Sequence, residues 1–337
     1  MKTNFSHGGD INKFAEELSC SIEEVIDLSS NINFIKPDIE VDFNSIDISS
    51  YPSYDELYHV ISNLYSVDID QIELFNGGSS AIFSLFRNFG TNHCYIYSPA
   101  YLEYKKAAVK FDYTIEYINR FIDLDKEILP NSLVVFVNPS TPDGTFYDID
   151  NLMNRWMKKD CTILIDESFL DFTSFKSVIK YLNTYDKLYI LKSMTKFYSS
   201  AGIRLGTIIS SKENIEKIKE YEPMWKISQF DQVYIKNAIK DKNFTKISKA
   251  INITNKELLV KILLNNKYIE NILPSSANYI LVQLKNIKAN EFQELLKPYK
   301  IMIRDCSNFD FLDDTFIRVA VKSEKSLRKF DLALKSI

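Results

Sequence analysis

The chain has 337 residues, 45% hydrophobic and 26% charged, which is ordinary for a globular protein of about two domains. The net charge of -4 argues against nucleic acid or an anionic membrane as its main partner. We see no signal peptide, no apolar run that could span a bilayer and no Cys-x-x-Cys pair. We therefore expect a cytoplasmic protein without structural zinc.

In chain order, helical patterns at 11–18 and 56–65 come first. Residues 70–210 then alternate short apolar strands with helices. The candidate strands are 72–75, 94–97, 114–117, 133–137, 162–165, 188–191 and 207–209. Continuous Val, Ile and Leu strands separated by helices predict an α/β fold with a mainly parallel seven-stranded sheet, covered on both faces. Ligands bind to such sheets beyond the carboxyl ends of the strands.

From about residue 224 the pattern becomes α+β. Helical patterns cover 230–239, 243–264 and 291–296, and strands are predicted at 279–282, 301–304 and 316–321. We therefore predict a large ligand-binding domain at 46–224. A small domain, with an N-terminal arm, would combine 1–45 and 225–337.

A lysine follows the buried strand that ends near Leu191. Desolvation at this place can lower the pKa of Lys196, and a neutral amine can form a Schiff base with an aldehyde. Ser193 and Arg204 stand three residues before and eight residues after it, and a hydroxyl and a guanidinium suit a phosphate. An aldehyde together with a phosphate describes pyridoxal 5'-phosphate (PLP). The alternative is a solvated lysine at a strand end.

Two more strand ends carry polar residues. Asn76-Gly77-Gly78-Ser79 leads from a strand into a helix, where Gly78 and Ser79 could form an anion cradle or an ordinary capped turn. Asp166 ends an apolar run, and a buried carboxylate needs a partner. The protonated nitrogen of a pyridine ring is one such partner, and the alternative is an aspartate that caps the next turn.

Other candidates are weaker when each is taken alone. Tyr101, after Ser98-Pro99, could stack on a flat ring or belong to the core. Thr141 lies in the turn Asn138–Gly144. Arg304 and Arg318 close two predicted strands and could bind anionic substrate groups or form surface ion pairs.

The spacing Ser-x-x-Lys-x7-Arg-x-Gly around Lys196 resembles the lysine motif of fold-type I PLP enzymes, the class I/II aminotransferase superfamily. The order of the pieces is similar over almost the whole chain. The resemblance implies Lys196 as the Schiff-base lysine, Asp166 as the partner of the pyridine nitrogen and Tyr101 as the stacking ring. It implies four residues at the PLP phosphate: Gly78, Ser79, Ser193 and Arg204. It also implies a homodimer in which Tyr51 reaches the phosphate in the neighbouring subunit.

Two branches of the superfamily resemble this chain: histidinol-phosphate aminotransferase and, more closely, threonine-phosphate decarboxylase of cobalamin biosynthesis. His7-Gly8-Gly9, Ser29–Asn33 and Ile303–Asn308 are similar to motifs of the decarboxylase branch. So is Phe169, where aminotransferases have Tyr. This likeness puts five residues on the substrate: His7, Gly8, Asn31, Arg304 and Arg318.

The activity implied is decarboxylation of L-threonine O-phosphate or L-serine O-phosphate, which yields the linker of the cobamide nucleotide loop. Histidinol-phosphate aminotransferase is the first alternative, and a PLP-binding regulator without turnover is the second. Thr141 departs from both branches, which have an Asn near the PLP ring oxygen and the substrate. Thr can donate only one proton, so its contacts with PLP and with substrate must differ from those of Asn.

Overall fold

The computed structural model describes residues 8–337. His7, predicted at the substrate, lies outside the described residues. The α-helices are Ile11–Glu17 (α1), Asp55–Tyr65 (α2), Gly77–Asn88 (α3), Leu102–Lys110 (α4), Asp150–Lys158 (α5), Met194–Phe197 (α6), Lys212–Tyr221 (α7), Gln229–Lys240 (α8), Lys242–Leu264 (α9), Ala289–Leu296 (α10) and Glu324–Ser336 (α11). The strands are Ile26–Asp27 (β1), Ile72–Phe75 (β2), His93–Ser98 (β3), Thr114–Asn119 (β4), Leu133–Val137 (β5), Thr162–Asp166 (β6), Leu188–Ser193 (β7), Gly206–Ile209 (β8), Ile269–Ile272 (β9), Tyr279–Leu284 (β10), Ile301–Met302 (β11), Arg304–Asp305 (β12) and Phe316–Ala320 (β13).

The central sheet has seven strands in the order β2-β8-β7-β6-β5-β3-β4. Strand β8 runs antiparallel to both of its neighbours, and the other pairings are parallel. The predicted α/β class and mainly parallel seven-stranded sheet are therefore confirmed. Every residue of β5 is buried, because helices cover both faces of the sheet.

A second core surrounds the four-stranded sheet β12-β13-β10-β9. Its buried residues are Leu28 and residues from Leu259 onward, and several of them lie on helices α9, α10 and α11. The chain predicted to form one strand at 301–304 is divided here. Strand β11 pairs with β1, whereas β12 pairs with β13. The predicted domain boundary at residue 224 stays a prediction.

A small apolar cluster connects the two cores. It joins Leu102 of α4 to Leu281 of β10 and to the loop that carries Cys306, Phe309 and Leu312. In the described part of the chain, no helix is both long and apolar enough to cross a membrane.

Candidate active site

A cavity of about 180 Å³ lies beyond the carboxyl ends of the central strands, where residues of both cores meet. The predicted site residues that line it are Gly8, Asn31, Gly78, Ser79, Tyr101, Thr141, Asp166, Ser193, Lys196, Arg204, Arg304 and Arg318. Tyr51 lies outside the cavity. Its side chain is 76% exposed and its ring stacks on Trp225, with 4.1 Å between the ring centroids.

Lys196 reaches the cavity from the short helix α6, which continues directly from β7. The pKa of its ammonium group is lowered from 10.5 to about 8, chiefly by burial. The positive charges of Arg318 and Arg204 contribute to this lowering, whereas Asp166 opposes it. A larger fraction of Lys196 than of an ordinary lysine is therefore the neutral amine near neutral pH, the form that adds to an aldehyde.

Asp166 is the last residue of β6 and is only 3% exposed. One carboxylate oxygen accepts hydrogen bonds from the backbone N–H (2.9 Å) and the hydroxyl (2.5 Å) of Ser168, and the other accepts one from the Tyr104 hydroxyl (2.8 Å). Burial raises the pKa of the Asp166 carboxyl, and these hydrogen bonds oppose the rise. A buried carboxylate held by three donors is prepared to face a cationic group.

Neither hydrogen-bond partner of Asp166 was predicted from the sequence. Ser168 had a local signal, because a Ser two residues after an Asp often bonds back to it. Tyr104 had no comparable signal. It is one of 20 tyrosines, and its position on the buried face of α4 depends on the tertiary fold.

The start of α3 forms a compact cradle. Gly77 has φ +80°, and a Cβ there would lie 2.4 Å from an Arg204 nitrogen. A Cβ on Gly206, in the adjacent strand β8, would lie 2.6 Å from the Gly78 nitrogen. Glycine at these positions lets a guanidinium and a strand approach the N–H groups at the helix start, which have no partner within the helix. Such N–H groups bind anions.

Hydroxyl groups surround the cradle. The Ser79 hydroxyl is 3.2 Å from the Tyr101 hydroxyl, and those of Ser193 and Thr195 are 2.9 Å apart. Thr195 also lines the cavity, a position that was not predicted from the sequence. Hydroxyls can both donate and accept, so they can turn toward a phosphate.

Arg304 and Arg318 lie opposite each other in strands β12 and β13. Both side chains line the cavity and both residues are less than 10% exposed. Burial lowers the pKa of each guanidinium. Arg304 donates from Nη1 to the Asp305 carbonyl (2.5 Å) and from Nη2 to the Asn308 side chain (2.7 Å). The sheet therefore presents two adjacent buried cations to one cavity.

Arg318 is held in one orientation. Nη1 donates to the Thr141 hydroxyl (2.8 Å), Nη2 donates to the Ser29 carbonyl (2.7 Å), and the guanidinium lies 5.1 Å from the centre of the Tyr279 ring. Nε is buried and has no partner among the described residues. The hydroxyl of Thr141 thus serves as an acceptor for Arg318.

The segment 28–33 connects Lys196 with the second core. The Leu28 carbonyl accepts from the Ala320 N–H (2.8 Å), and that of Asn31 accepts from the Asn278 side chain (2.9 Å). The Asn33 N–H donates to the Lys196 carbonyl (3.0 Å). Because both ends of the segment are fixed, Asn31 is held at the cavity wall.

A buried ion pair supports the turn of Thr141. The guanidinium of Arg120 and the carboxylate of Asp143 are 3.7 Å apart, and both side chains are 0% exposed. Arg120 also donates to the Val137 carbonyl (3.1 Å) and faces the Phe136 ring at 4.4 Å. No motif in the sequence pointed to this pair.

These features fit PLP. The helix start, the Arg204 guanidinium and the surrounding hydroxyls provide what a phosphate needs. Lys196 provides an amine with a lowered pKa, and Asp166 provides a buried carboxylate whose negative charge a cation would compensate. All of them line the same cavity.

Comparisons with known proteins agree with this chemistry. The family model for aminotransferase class I and II matches residues 25–337. The adenosylcobalamin biosynthesis bifunctional protein CobDQ of Leptospira interrogans is 29% identical over 98% of this chain, which spans only 41% of that longer protein. The threonine-phosphate decarboxylase of Salmonella typhimurium is 24% identical, over 99% of this chain and 97% of the relative. The crystal structure of the histidinol-phosphate aminotransferase from Clostridium acetobutylicum is 30% identical, with a TM-score of 0.81 over 92% of this chain and 98% of that chain.

Proposed function

Because the chain belongs to the class I and II aminotransferase family and its cofactor is PLP, we propose that it decarboxylates an O-phospho-amino acid. The substrate would be L-threonine O-phosphate or L-serine O-phosphate, and the products would be CO2 and the amino alcohol phosphate. The two substrates differ by one methyl group, which a pocket distinguishes by only about 1–3 kcal/mol.

The distribution of charge in the cavity carries this proposal. Among the described residues that line it, four are basic and Asp166 is the one carboxylate. Arg204 and the start of α3 suit the phosphate of PLP. We assign Arg304 and Arg318 to the substrate, because two guanidiniums suit a molecule with two anionic groups. A phospho-amino acid carries such groups as its carboxylate and its phosphate.

The proposed roles follow from these positions. PLP, when bound, supplies an aldehyde that combines with the substrate amine and a ring that takes up the electrons of the broken bond. Arg318 would hold the α-carboxylate, and Arg304, with Asn31 and Gly8, would hold the phosphate. Asp166 would keep the ring nitrogen protonated.

Lys196 would move the proton that the reaction requires. The bond between Cα and the carboxylate breaks, CO2 leaves, and Cα gains one proton. With a pKa of about 8, the Lys196 Nζ can carry a proton and release it near neutral pH. A residue with this pKa is suited to deliver the proton to Cα.

Phe169 gives separate support. It lines the cavity and meets the Tyr279 ring edge-on, with 5.0 Å between the ring centroids. The phenyl group brings no hydroxyl donor to this wall, whereas the aminotransferase pattern has a Tyr. The decarboxylase branch shares the Phe.

Histidinol-phosphate aminotransferase is the second candidate, because a structure of that name is 30% identical to this chain. It would use the same cofactor residues. Its substrate pair also contains both a phosphate and a dicarboxylate, so the two arginines alone do not separate the candidates.

The test uses PLP-loaded protein with O-phosphothreonine or O-phosphoserine, assayed for CO2 and the amine phosphate. A parallel reaction contains histidinol phosphate and 2-oxoglutarate. We expect CO2 from a phospho-amino acid, abolished in Lys196→Ala and retained in Lys110→Ala, a matched change of an exposed lysine on α4. Glutamate formation without CO2 would refute the decarboxylase and favour the aminotransferase.

We also propose a homodimer in which Tyr51 contributes to the neighbouring cofactor site. Tyr51 is exposed and stacks on Trp225, and Met224, the residue before Trp225, is 71% exposed. Exposed apolar side chains of this kind suit a partner. Mixing Tyr51→Ala with Lys196→Ala protein should restore some activity, because one of the two sites in a mixed dimer keeps both residues. No recovery in mixtures that exchange subunits would refute this arrangement.

A further inference from the structure

An ion pair outside the cavity connects the two cores beside Arg304. The Lys105 ammonium of α4 is 2.8 Å from the Asp310 carboxylate, and the side chains are 6% and 18% exposed. Lys105 also lies 5.0 Å from the centre of the Tyr117 ring. Separating a pair at this depth would leave an uncompensated buried charge, so the pair fixes the two chain segments relative to each other.

The two ends of this pair have different attachments. Helix α4 begins just after Tyr101 and packs Tyr104, Ala107 and Ala108 into the core of the central sheet. Lys105 is therefore mounted on a rigid element next to the proposed cofactor site.

Asp310 belongs to the loop that surrounds Arg304. In this loop the Asp305 carbonyl and the Asn308 side chain accept hydrogen bonds from the guanidinium, and the Phe309 ring faces it at 5.3 Å. Asp310 is the next residue. Phe309 also lines the cavity and packs in the apolar cluster with Leu102.

We propose that Lys105 and Asp310 are positioning residues for the substrate phosphate. Their ion pair fixes the loop 305–310 on α4, and the loop fixes the Arg304 guanidinium in the cavity. This inference rests on the proposed role of Arg304 in binding phosphate. A guanidinium already held in place binds an anion without first losing its conformational freedom, so a loose loop weakens binding.

The test measures binding of ethyl phosphate to the PLP-loaded protein by isothermal titration calorimetry. This probe has the phosphate ester but neither the amine nor the carboxylate, and PLP already occupies the cradle at α3. We expect Lys105→Met and Asp310→Asn each to raise the dissociation constant about tenfold, with an unchanged cofactor absorbance spectrum. Lys105→Arg keeps the pair and should restore most of the affinity.

The Asp310→Asn variant separates positioning from a simple effect of charge. If the pair acted only through its electric field, loss of a negative charge would tighten anion binding, whereas positioning predicts weaker binding. The double variant should bind no worse than either single variant, because both changes break the same connection. Lys106→Met is the control, since this neighbouring side chain is 51% exposed and lies 3.7 Å from Glu103.

The outcomes are distinct. Failure of the unmodified protein to bind ethyl phosphate would remove the proposed phosphate site and, with it, this inference. Normal binding by the unmodified protein, with equal or tighter binding in Asp310→Asn, would overturn the positioning role and leave the proposed function intact. If Lys105→Met fails to fold, the near-isosteric Asp310→Asn decides the matter alone.

Discussion

Replacement of Lys196 by methionine is expected to stabilise the cofactor-free protein, although it abolishes activity. Folding lowers the pKa of Lys196 from 10.5 to about 8, so the folded state disfavours the charged form. At 1.36 kcal/mol for each pH unit, the penalty is at most about 3 kcal/mol. Water in the open cavity screens the charge, and we expect a gain of about 1–3 kcal/mol in the free energy of unfolding.

The pH dependence of this stability gain shows whether desolvation of the Lys196 ammonium group causes it. A basic group whose pKa is lowered by folding destabilises the folded state by the full penalty below its folded pKa, and this cost disappears as the pH rises toward its unfolded pKa. The advantage of Lys196→Met should therefore be largest below a pH of about 8 and should vanish near about 10.5. Methionine is similar in length and leaves little empty space, so packing changes add little.

Urea unfolding of both cofactor-free proteins at several pH values, from below about 8 up to about 10.5, measures the difference. Lys110→Met is the control. This lysine is exposed at the end of α4, and its replacement should change stability by less than about 0.5 kcal/mol. A Lys196→Met protein that is no more stable than the original below a pH of about 8 would refute the account of a desolvated amine. So would a stability difference that does not change with pH.

Three further substitutions test the site. Gly206→Ala places a Cβ 2.6 Å from backbone at the start of α3, so we expect PLP affinity to fall at least about tenfold in an absorbance titration; unchanged affinity would contradict the cradle. Thr141→Val removes the acceptor for Arg318 and should raise KM for the phospho-amino acid about tenfold, and Thr141→Ser should restore it; equal KM values in both would contradict this role. Arg120→Met leaves the Asp143 carboxylate buried without its cation, so it should lower the free energy of unfolding in urea by about 3–5 kcal/mol, and adding Asp143→Asn should recover part of this loss. An unchanged free energy of unfolding would show that the two side chains are not coupled.

The strands of the central sheet could be predicted because each has its own local signal. The run Leu133–Val137 is apolar throughout, and such runs between helices indicate a buried parallel strand. Strands β1 and β9 were missed, since one has two residues and the other, Ile-Glu-Asn-Ile, has polar residues in its middle. Strand β9 forms through its antiparallel pairing with β10, which no local pattern in its own sequence indicates.

The site also contains residues that could be predicted from local sequence and residues that could not. Lys196, Asp166 and Gly78 could be selected because each lies at or just beyond the end of a strand in a recognisable motif. Tyr104, Arg120 and the pair of Lys105 with Asp310 could not, because their partners are 62, 23 and 205 residues away in the chain. A charged residue inside a helix usually indicates a solvated face, and only the fold shows that Lys105 is buried.

The register of strands β12 and β13 limits what the substrate can be. Arg304 and Arg318 are direct partners, and opposite residues of antiparallel strands have Cα atoms about 5 Å apart. Two guanidiniums from such neighbours suit two anionic groups within one small molecule. In a phospho-amino acid, the carboxylate and the phosphate are joined through Cα, Cβ and an ester oxygen. Histidinol phosphate has one anionic group, its phosphate. In the aminotransferase, the second arginine would therefore bind only the other substrate, 2-oxoglutarate. Thr141 and the Ser29 carbonyl fix Arg318. If Arg318 holds the carboxylate as proposed, the sheet would select both the spacing of the anions and the direction of the Cα–carboxylate bond. The choice of which bond breaks would then depend on the second core and the segment 28–33, and not on the cofactor cradle that both candidate activities share.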